Sequence, residues 1–299
     1  MVLSFLVRSG SKKRMIFIGR LLFLLLLFAV LFLAASSWCE EVVSPLLVAK
    51  WFSGDRYVYC RASQHLKSVF ELAGWSLGNS VVPRIYVERL PRDFPELPDV
   101  EERKEFFLMI ILPMVLKIEE EIQEDAELFE KVLSGLIAPE SVRHLLEKYE
   151  LDELDPKLIR LRVKPVPVWQ ALAQAALESG WGTSRFAMHA NNLMGEQVFE
   201  PGSGLVPSDR PDDAKYEVRV FRSLLSAMRR YVNNLNTHES YRQYRLLRAQ
   251  FDDVRILEGL LYYSVERDKY IEKLEFLINH EGLLKYSSYR LEASNQIQN

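Results

Sequence analysis

The chain of 299 residues is poor in cysteine and carries almost no excess charge of either sign. Two cysteines, Cys39 and Cys60, are too few for a disulfide-based scaffold, and the five histidines lack the Cys/His spacing of a structural zinc site. A formal net charge of −3 excludes the strong basic excess that is typical of nucleic-acid-binding proteins. We therefore expect no metal site, no cofactor and no nucleic-acid partner.

Long apolar runs are also scarce, and the longest one lies near the N-terminus at residues 21–35. Basic residues precede this run, and the small residues Ala35 and Ser37 fit the cleavage positions of a secretory signal. The run is long for a signal and short for a membrane span of about 20 residues, so an uncleaved N-terminal anchor stays open. In both cases the positive-inside rule places the rest of the chain on the outer side of the membrane.

Cys39 adds a third interpretation of this segment. A cysteine shortly after an apolar run can be a lipid attachment site, but the bulky Trp38 directly before it departs from the small residue that such a signal needs. In an oxidising compartment Cys39 and Cys60 could instead form a disulfide. The number of cysteines leaves that pairing open.

Proline, glycine and the apolar pattern divide the chain into four segments. We assign residues 1–38 to the signal peptide or membrane anchor, 39–80 to a connector, 81–164 to a helical accessory region and 165–290 to the principal domain. Prolines between residues 83 and 98 indicate a looped stretch, because proline disfavours helix at itself and at the preceding residue. Short strands are possible at Val81–Val82 and Ile85–Val87 within it.

Helical patterns dominate from residue 99 onward. Asp99 suits an N-cap, and apolar residues recur at helical spacing up to Ser134, with Pro113 expected to kink or interrupt the helix. Glycine and proline predict a loop over residues 196–213, and residues 216–220 alternate with the period of a strand. Further helices are predicted over residues 139–149, 223–236, 240–250 and 255–283. The expected fold class is mainly α, in an α+β arrangement with a small β-hairpin lobe.

The most informative pattern is found at residues 171–182, which read ALAQAALESGWG. Small and apolar residues recur at helical spacing, and the alanines allow close packing against neighbouring helices. Burial at the end of such a helix disfavours the charged form of Glu178 and should raise its pKa, as a general acid near neutral pH requires. Gly180 and Gly182 permit a sharp turn beside Trp181, whose ring could support a sugar. A solvated Glu178 and a core Trp181 are the alternative.

Three further segments follow in order, at residues 191–195 (NNLMG), 237–241 (THESY) and 263–270 (YSVERDKY). Together with ESGWG they resemble the N-acetylglucosaminidases of glycoside hydrolase family 73, and within that family the Bax-type branch. The resemblance covers about residues 81–286 and is strongest over residues 165–270. It implies a lysozyme-like domain, with the small β-hairpin lobe over the cleft, that acts as an endo-β-N-acetylglucosaminidase.

The resemblance also implies roles for particular side chains. Glu178 matches the general acid of the family, and Tyr270 matches a structural tyrosine. The candidates for substrate binding are Trp181, Asn192, Leu193, Tyr241 and Tyr263. Tyr241 could hold the acetamido group of the substrate or orient water, or it could be a core tyrosine with a satisfied hydroxyl.

Glycosidic cleavage generally uses a second carboxylate, and here the chain departs from the family pattern. Relatives carry an acid in the β-lobe before a strand, but this loop offers no one-to-one match. Its acids Glu200, Asp212, Asp213 and Glu217 are all candidates, and each could equally be a surface charge. We favour Asp212 and Asp213 because they directly precede the predicted strand. Inversion, retention and assistance by the acetamido group of the substrate stay open.

The expected function is hydrolysis of N-acetylglucosaminyl bonds in bacterial peptidoglycan, by a domain in the periplasm or anchored to the inner membrane and facing the periplasm. Glycan strands are the expected partner, and the inner membrane is another if the N-terminal segment stays uncleaved. A lytic transglycosylase is the enzymatic alternative, although NNLMG stands where those enzymes usually carry Gly-Leu-Met-Gln. A non-catalytic, membrane-tethered scaffold that binds peptidoglycan would account for the missing second carboxylate.

Overall fold

The computed structural model describes residues 50–52, 54–208, 210 and 214–294. The chain divides into two compact units, Met1–Val48 and Ala49–Asn299, and every described residue belongs to the second unit. The expected signal or anchor, Cys39, Asp212 and Asp213 lie outside the described residues. Among the residues that are described, no helix is long and apolar enough to cross a membrane.

The first part of the fold combines short strands with one helix. Its elements are β1 (Lys50–Phe52), β2 (Asp55–Val58), α1 (Ser63–Leu72), β3 (Val81–Val82) and β4 (Ile85–Val87). Strand β2 pairs antiparallel with β1 and parallel with β4, which forms a three-stranded sheet. The expected strands at β3 and β4 are thus present. Leu66 and Phe70 of α1 are buried in the core, so the segment expected as a connector contributes to the same hydrophobic core as later elements.

The long helix α2 (Val100–Leu133) begins as the sequence predicts. The side chain of Asp99 accepts a hydrogen bond from the backbone nitrogen of Glu102 at 2.9 Å, which caps the first turn. Of the two effects expected at Pro113, the interruption is wrong, because α2 continues through it, and the kink stays a prediction. Pro113 and its neighbours Leu112 and Met114 are all buried, and burial of this apolar stretch offsets the backbone hydrogen bond that proline cannot donate.

Seven shorter helices follow α2 in the described chain. They are α3 (Arg143–Lys148), α4 (Pro156–Arg162), α5 (Val168–Ser179), α6 (Arg185–Ala190), α7 (Leu224–Thr237), α8 (Arg242–Gln250) and α9 (Asp268–His280). Short 3-10 segments lie before or after several of the helices α2 to α9. These segments are Phe94–Glu96, Pro139–Val142, Glu239–Tyr241, Val254–Leu260 and Leu283–Ser288. Helix α5 packs against α2, α9 and the turn Leu283–Ser288, so it lies at the centre of the helical assembly.

A small sheet separates α6 from α7. It consists of β5 (Gln197–Val198), β6 (Gly204–Leu205) and β7 (Glu217–Arg219), with β7 antiparallel to both neighbours. Val218 is the shared partner, because it faces Gln197 on one side and Leu205 on the other. The expectation of a mainly helical fold with a small β element is confirmed.

The region expected as one helix over residues 255–283 is divided in the structure. A 3-10 turn occupies Val254–Leu260, and α9 begins only at Asp268. Arg267, directly before α9, has φ 57 and ψ −122, a backbone conformation that L residues rarely adopt. Residues 261–267 therefore form a turn between the 3-10 segment and α9. This turn carries Tyr263 and Glu266, and it lies beside the end of α5.

The end of the described chain is joined to its beginning. Strand β8 (Arg290–Leu291) pairs parallel with β3, and the carboxylate of Glu292 accepts a hydrogen bond from Arg56 at 3.1 Å and from the backbone nitrogen of Arg84 at 3.2 Å. The hydrophobic core of the described residues runs from Val58 to Tyr286, across the expected boundaries at residues 80 and 164. The division at residues 38, 80 and 164 stays a prediction.

Candidate active site

Helix α5 is buried along most of its length, and it delivers Glu178 to the rim of the core. Its alanines at positions 171, 173, 175 and 176 have no exposed surface, so their small side chains allow α2 and α9 to approach the helix closely. Glu178 lies in the last turn and is half-buried. Gly180 then adopts a left-handed backbone with φ 57, which ends the helix.

The turn after Glu178 is fixed by a serine and a glycine. The hydroxyl of Ser179 donates to the carbonyl oxygen of Ala175 at 2.6 Å and accepts from the backbone nitrogen of Gly182 at 2.8 Å. Gly182 has φ 78, and a Cβ atom placed on it would lie 2.9 Å from the ring of Phe107 in α2. The ESGWG segment is therefore shaped both by local backbone geometry and by close packing on α2.

A row of polar side chains leads along α5 to Glu178. Gln170, Gln174 and Glu178 are spaced by four residues, which places them on one face of the helix. The amide nitrogen of Gln170 donates to the amide oxygen of Gln174 at 2.9 Å. Both glutamines are completely buried, yet two tyrosine hydroxyls also donate to them: Tyr244 to Gln170 at 2.8 Å and Tyr231 to Gln174 at 2.6 Å. We call these four residues the glutamine–tyrosine network.

The network has a defined direction that ends at Glu178. Since the amide oxygen of Gln174 already accepts two hydrogen bonds, its amide nitrogen faces Tyr270 and donates to that hydroxyl at 3.0 Å. The hydroxyl of Tyr270 thus accepts from Gln174, and its single proton is free for the carboxyl of Glu178, with which it also interacts. The protein interior therefore orients one hydrogen-bond donor towards the candidate acid.

The surroundings of Glu178 favour its protonated form. Burial raises the pKa of its carboxyl, and the negative charge of Glu266 raises the pKa further. The hydroxyl of Tyr270 acts in the opposite direction, but the net effect is an increase from the ordinary value of 4.5. A carboxyl group with a raised pKa keeps its proton to higher pH than an ordinary glutamic acid does, and it can donate this proton to a leaving group.

Three tyrosines form a wall beside this carboxyl. The rings of Tyr263 and Tyr270 stack with 5.4 Å between their centroids and 13° between their planes, and Tyr241 lies 5.9 Å from Tyr263. The charge of Glu178 contributes to a raised pKa in all three hydroxyls, after the larger effect of burial. The structure therefore brings the candidates Tyr241 and Tyr263 together with Glu178, and it adds Tyr270, which is buried.

The other three candidates for substrate binding occupy different places. Trp181 is half-buried. Its ring and the ring of Phe107 meet edge to face with 5.8 Å between the centroids, and the ammonium of Lys104 lies 5.5 Å from the centroid of the Trp181 ring. Asn192 is buried and donates its amide nitrogen to two backbone carbonyls of the β-lobe, so it fixes the turn. Leu193 has no exposed surface. Asn192 and Leu193 consequently support the site from within the core.

The acids of the β-lobe have separate environments. Glu217 is buried and accepts hydrogen bonds from the backbone nitrogens of Gly202 at 2.9 Å and Gly204 at 2.8 Å, contacts that lower its pKa and fasten the hairpin. Glu200 is exposed. Asp212 and Asp213 lie outside the described residues, so the preference for them as second carboxylate stays a prediction.

Sequence reasoning missed Glu266, the charged neighbour of Glu178. Its carboxylate accepts hydrogen bonds from the ammonium of Lys273 at 2.6 and 2.7 Å. It lies in the turn between Tyr263 and α9, and the sequence offered a signal, because Glu266 falls inside the YSVERDKY segment. The glutamine–tyrosine network was missed too, although the spacing of four between Gln170, Gln174 and Glu178 is visible in the sequence.

The described residues contain no group of three or more histidine, cysteine or acidic side chains that could hold a metal ion. Cys60 is buried, which raises the pKa of its thiol to about 11. Cys39 lies outside the described part of the chain, so the question of a disulfide between Cys39 and Cys60 stays open.

Comparison with known proteins gives a family match for the part of the chain that carries Glu178. Residues 162–283 match the family model Glucosaminidase, described as mannosyl-glycoprotein endo-beta-N-acetylglucosaminidase. This part of the chain is therefore similar to domains of the glucosaminidase family. The match includes Glu178, the three tyrosines of the wall, the β-lobe and the whole glutamine–tyrosine network.

One curated relative and one solved structure are also similar to part of the chain. Protein bax of Escherichia coli (strain K12) is 27% identical over 168 residues, which cover 53% of this chain and 60% of that protein. The alignment thus spans less than two thirds of the relative. The catalytic domain of the autolysin Auto from Listeria monocytogenes is 18% identical with a TM-score of 0.31, over 54% of this chain and 87% of that domain.

Proposed function

We propose that the chain hydrolyses N-acetylglucosaminyl bonds in bacterial peptidoglycan, with Glu178 as general acid. The observation that carries the proposal is the environment of Glu178 inside the family match, where burial raises the pKa of its carboxyl and Tyr270 holds it. In this mechanism Glu178 donates its proton to the glycosidic oxygen as the bond to the anomeric carbon breaks. A positioned acid of this kind contributes roughly 10²–10⁴-fold to the rate.

Two routes can then supply the second half of the reaction. A carboxylate from the loop before β7, for which Asp212 and Asp213 are our candidates, would activate water or act as nucleophile. In the other route the acetamido group of the substrate assists the reaction, held by Tyr241 at the outer end of the tyrosine wall. The position of Tyr241 supports this second route. Its side chain is half-exposed, and its ring is next to the ring of Tyr263, which lies beside Glu178.

The proposal places the domain on the outer side of the inner membrane, released or anchored through the N-terminal segment. Enzymatic reporters fused after Ser80 should be active only when they require the periplasm. Activity of a cytoplasm-dependent reporter at that position would contradict this location.

The decisive experiment compares the full chain with Glu178→Gln on purified peptidoglycan, with mass spectrometry of the released fragments. We expect fragments with a reducing N-acetylglucosamine end, and at least a 10²-fold lower rate for the variant, because glutamine keeps the shape but lacks the acidic proton. Glu130→Gln, on the exposed end of α2, is the matched control and should keep the parental rate.

Other products would contradict the hydrolase. A 1,6-anhydro end would identify a lytic transglycosylase, and binding of glycan without release of fragments would identify a scaffold. Amide substitutions of Asp212 and Asp213, alone and together, separate the two routes. Turnover within a few-fold of the parent in all three variants, and also in the amide variants of Glu200 and Glu217, would favour assistance by the substrate.

A further inference from the structure

A groove of about 620 Å³ lies between the end of α5 and one side of α9. Leu177, Trp181 and Leu277 provide apolar surface, and charged side chains from α2 and α9 surround it. We call it the α5–α9 groove. None of the contacts described above for the glutamine–tyrosine network involves its residues, so it is a separate feature of the molecule.

The groove adjoins the candidate acid. Leu177 directly precedes Glu178 on α5, and Lys273 lies one turn after Tyr270 on α9. Lys273 also connects the two places physically, because it lines the groove and holds the carboxylate of Glu266, whose charge acts on Glu178. The groove and Glu178 are therefore connected through Lys273 and Glu266, and a substituent of a ligand at Glu178 would have to follow this connection to enter the groove.

Two charges of opposite sign in the groove have no partner among the described residues. Lys104 is bonded to Glu281 at 2.8 Å and Lys273 to Glu266 at 2.6 Å, so these cations are compensated. The side chains of Lys269 and Glu272, by contrast, are exposed on α9 and form no hydrogen bond or ion pair with any part of the chain that the structure describes. The groove thus offers one free ammonium and one free carboxylate, three residues apart.

An exposed aromatic surface completes the groove. Phe276 is 68% exposed, and its ring stacks on the ring of His280 with 5.2 Å between the centroids and 11° between the planes. Both rings line the groove. Together they form a flat surface on which an aliphatic or amide group could pack.

We propose that the α5–α9 groove binds a zwitterionic peptide substituent of the glycan, so that the preferred substrate is peptide-bearing rather than bare glycan. The inference rests on the proposed function, since it assumes a glycan at Glu178. A short peptide with both a carboxylate and an amino group matches the free charges of Lys269 and Glu272. Its aliphatic and amide parts match the surface of Phe276. A neutral sugar would leave both charges unused.

The test measures binding, and it does not depend on turnover. Isothermal titration of the full chain carrying Glu178→Gln compares peptide-bearing glycan strands with the same strands after an amidase has removed the peptides. We expect the peptide-bearing form to bind at least about tenfold more tightly. Phe276→Ala, and Lys269→Gln combined with Glu272→Gln, should each remove most of this preference.

Matched controls lie on the far end of α2 and in the turn after it. Leu136→Ala removes an apolar side chain that is 76% exposed, and Lys131→Gln with Glu130→Gln removes a pair of exposed opposite charges. Both control variants should keep the preference. Equal affinity of the parent for the two strand forms, or an unchanged preference in the groove variants, would overturn the inference. Failure of the proposed function would instead appear in the chain with Glu178 intact, which would then release no cleavage products from either strand form.

Discussion

Gln174 donates its amide nitrogen to the hydroxyl of Tyr270 at 3.0 Å, from one turn before Glu178 on the same helix. This bond occupies the acceptor side of the hydroxyl and directs its proton to the carboxyl of Glu178. Two further donors hold the amide oxygen of Gln174, so the amide cannot reverse without breaking both bonds. A buried glutamine thereby sets the direction of a hydrogen bond to the candidate acid, which leads to a first prediction.

Tyr270→Phe should move the alkaline fall of activity to higher pH. The hydroxyl lowers the pKa of Glu178, so its removal raises that pKa and preserves the protonated acid at higher pH. The maximal rate should also fall, because the carboxyl loses an orienting partner. The measurement is the pH dependence of kcat/KM, with Tyr286→Phe as a control at another buried tyrosine. A fall at lower pH than in the parent would contradict the assigned hydrogen bond.

Glu266→Gln should have the opposite effect on the same profile. The negative charge of Glu266 raises the pKa of Glu178, so neutralising it lowers that pKa and brings the alkaline fall to lower pH. Glu275→Gln, on α9 and outside the groove, removes an equal charge and should leave the profile unchanged. If both variants shift the profile equally, a general charge effect and not the proximity of Glu266 would be responsible.

Glu178→Gln should stabilise the fold more at alkaline than at acidic pH. The pKa of Glu178 is raised in the folded state above its ordinary value of 4.5. Its contribution to stability is therefore complete below that ordinary value and is lost as the pH rises through the folded pKa. Glutamine carries no charge at any pH and avoids this loss. Thermal unfolding at pH 4 and pH 8 tests the difference. An equal change in Tm at both values would show that the carboxyl titrates normally.

Gly182→Ala should destabilise the fold more than Gly135→Ala does. Both glycines have a left-handed backbone, with φ 78 and φ 75, so alanine meets similar backbone strain at each position. Only at position 182 does the new Cβ meet another side chain, at 2.9 Å from Phe107. Overpacking of this kind costs about 1–3 kcal/mol. Urea unfolding of both variants measures the difference, and equal free energies of unfolding would indicate that Phe107 moves aside.

Local signals in the sequence were sufficient for several elements and for the candidate acid. The cap at Asp99, the strand at β7 and the position of Glu178 at the end of a small-residue helix all follow from residue types at short spacing. The interruption expected at Pro113 is absent, because the local penalty of proline is small beside the burial of its surroundings. The break before α9 was missed, since Arg267 gives no sign in the sequence that it adopts a left-handed backbone.

Long-range relationships were beyond what short spacing can reveal. Glu217 was considered as a catalyst, but its two bonds to backbone nitrogens of the neighbouring turn become visible only once the hairpin is formed. Tyr231 and Tyr270 reach Gln174 from helices that lie 57 and 96 residues further along the chain. No periodicity within a segment contains that information, because it depends on how separate helices pack.

Phe107 lies 55 residues before the first residue of the family match, yet it sets the space available to Gly182 in the middle of that match. The stretch matched by the family model is consequently shorter than the stretch whose packing shapes the ESGWG turn. A protein trimmed to residues 162–283 would expose the alanine face of α5 that α2 now covers. The turn that follows the candidate acid therefore depends on a helix that lies outside the family match.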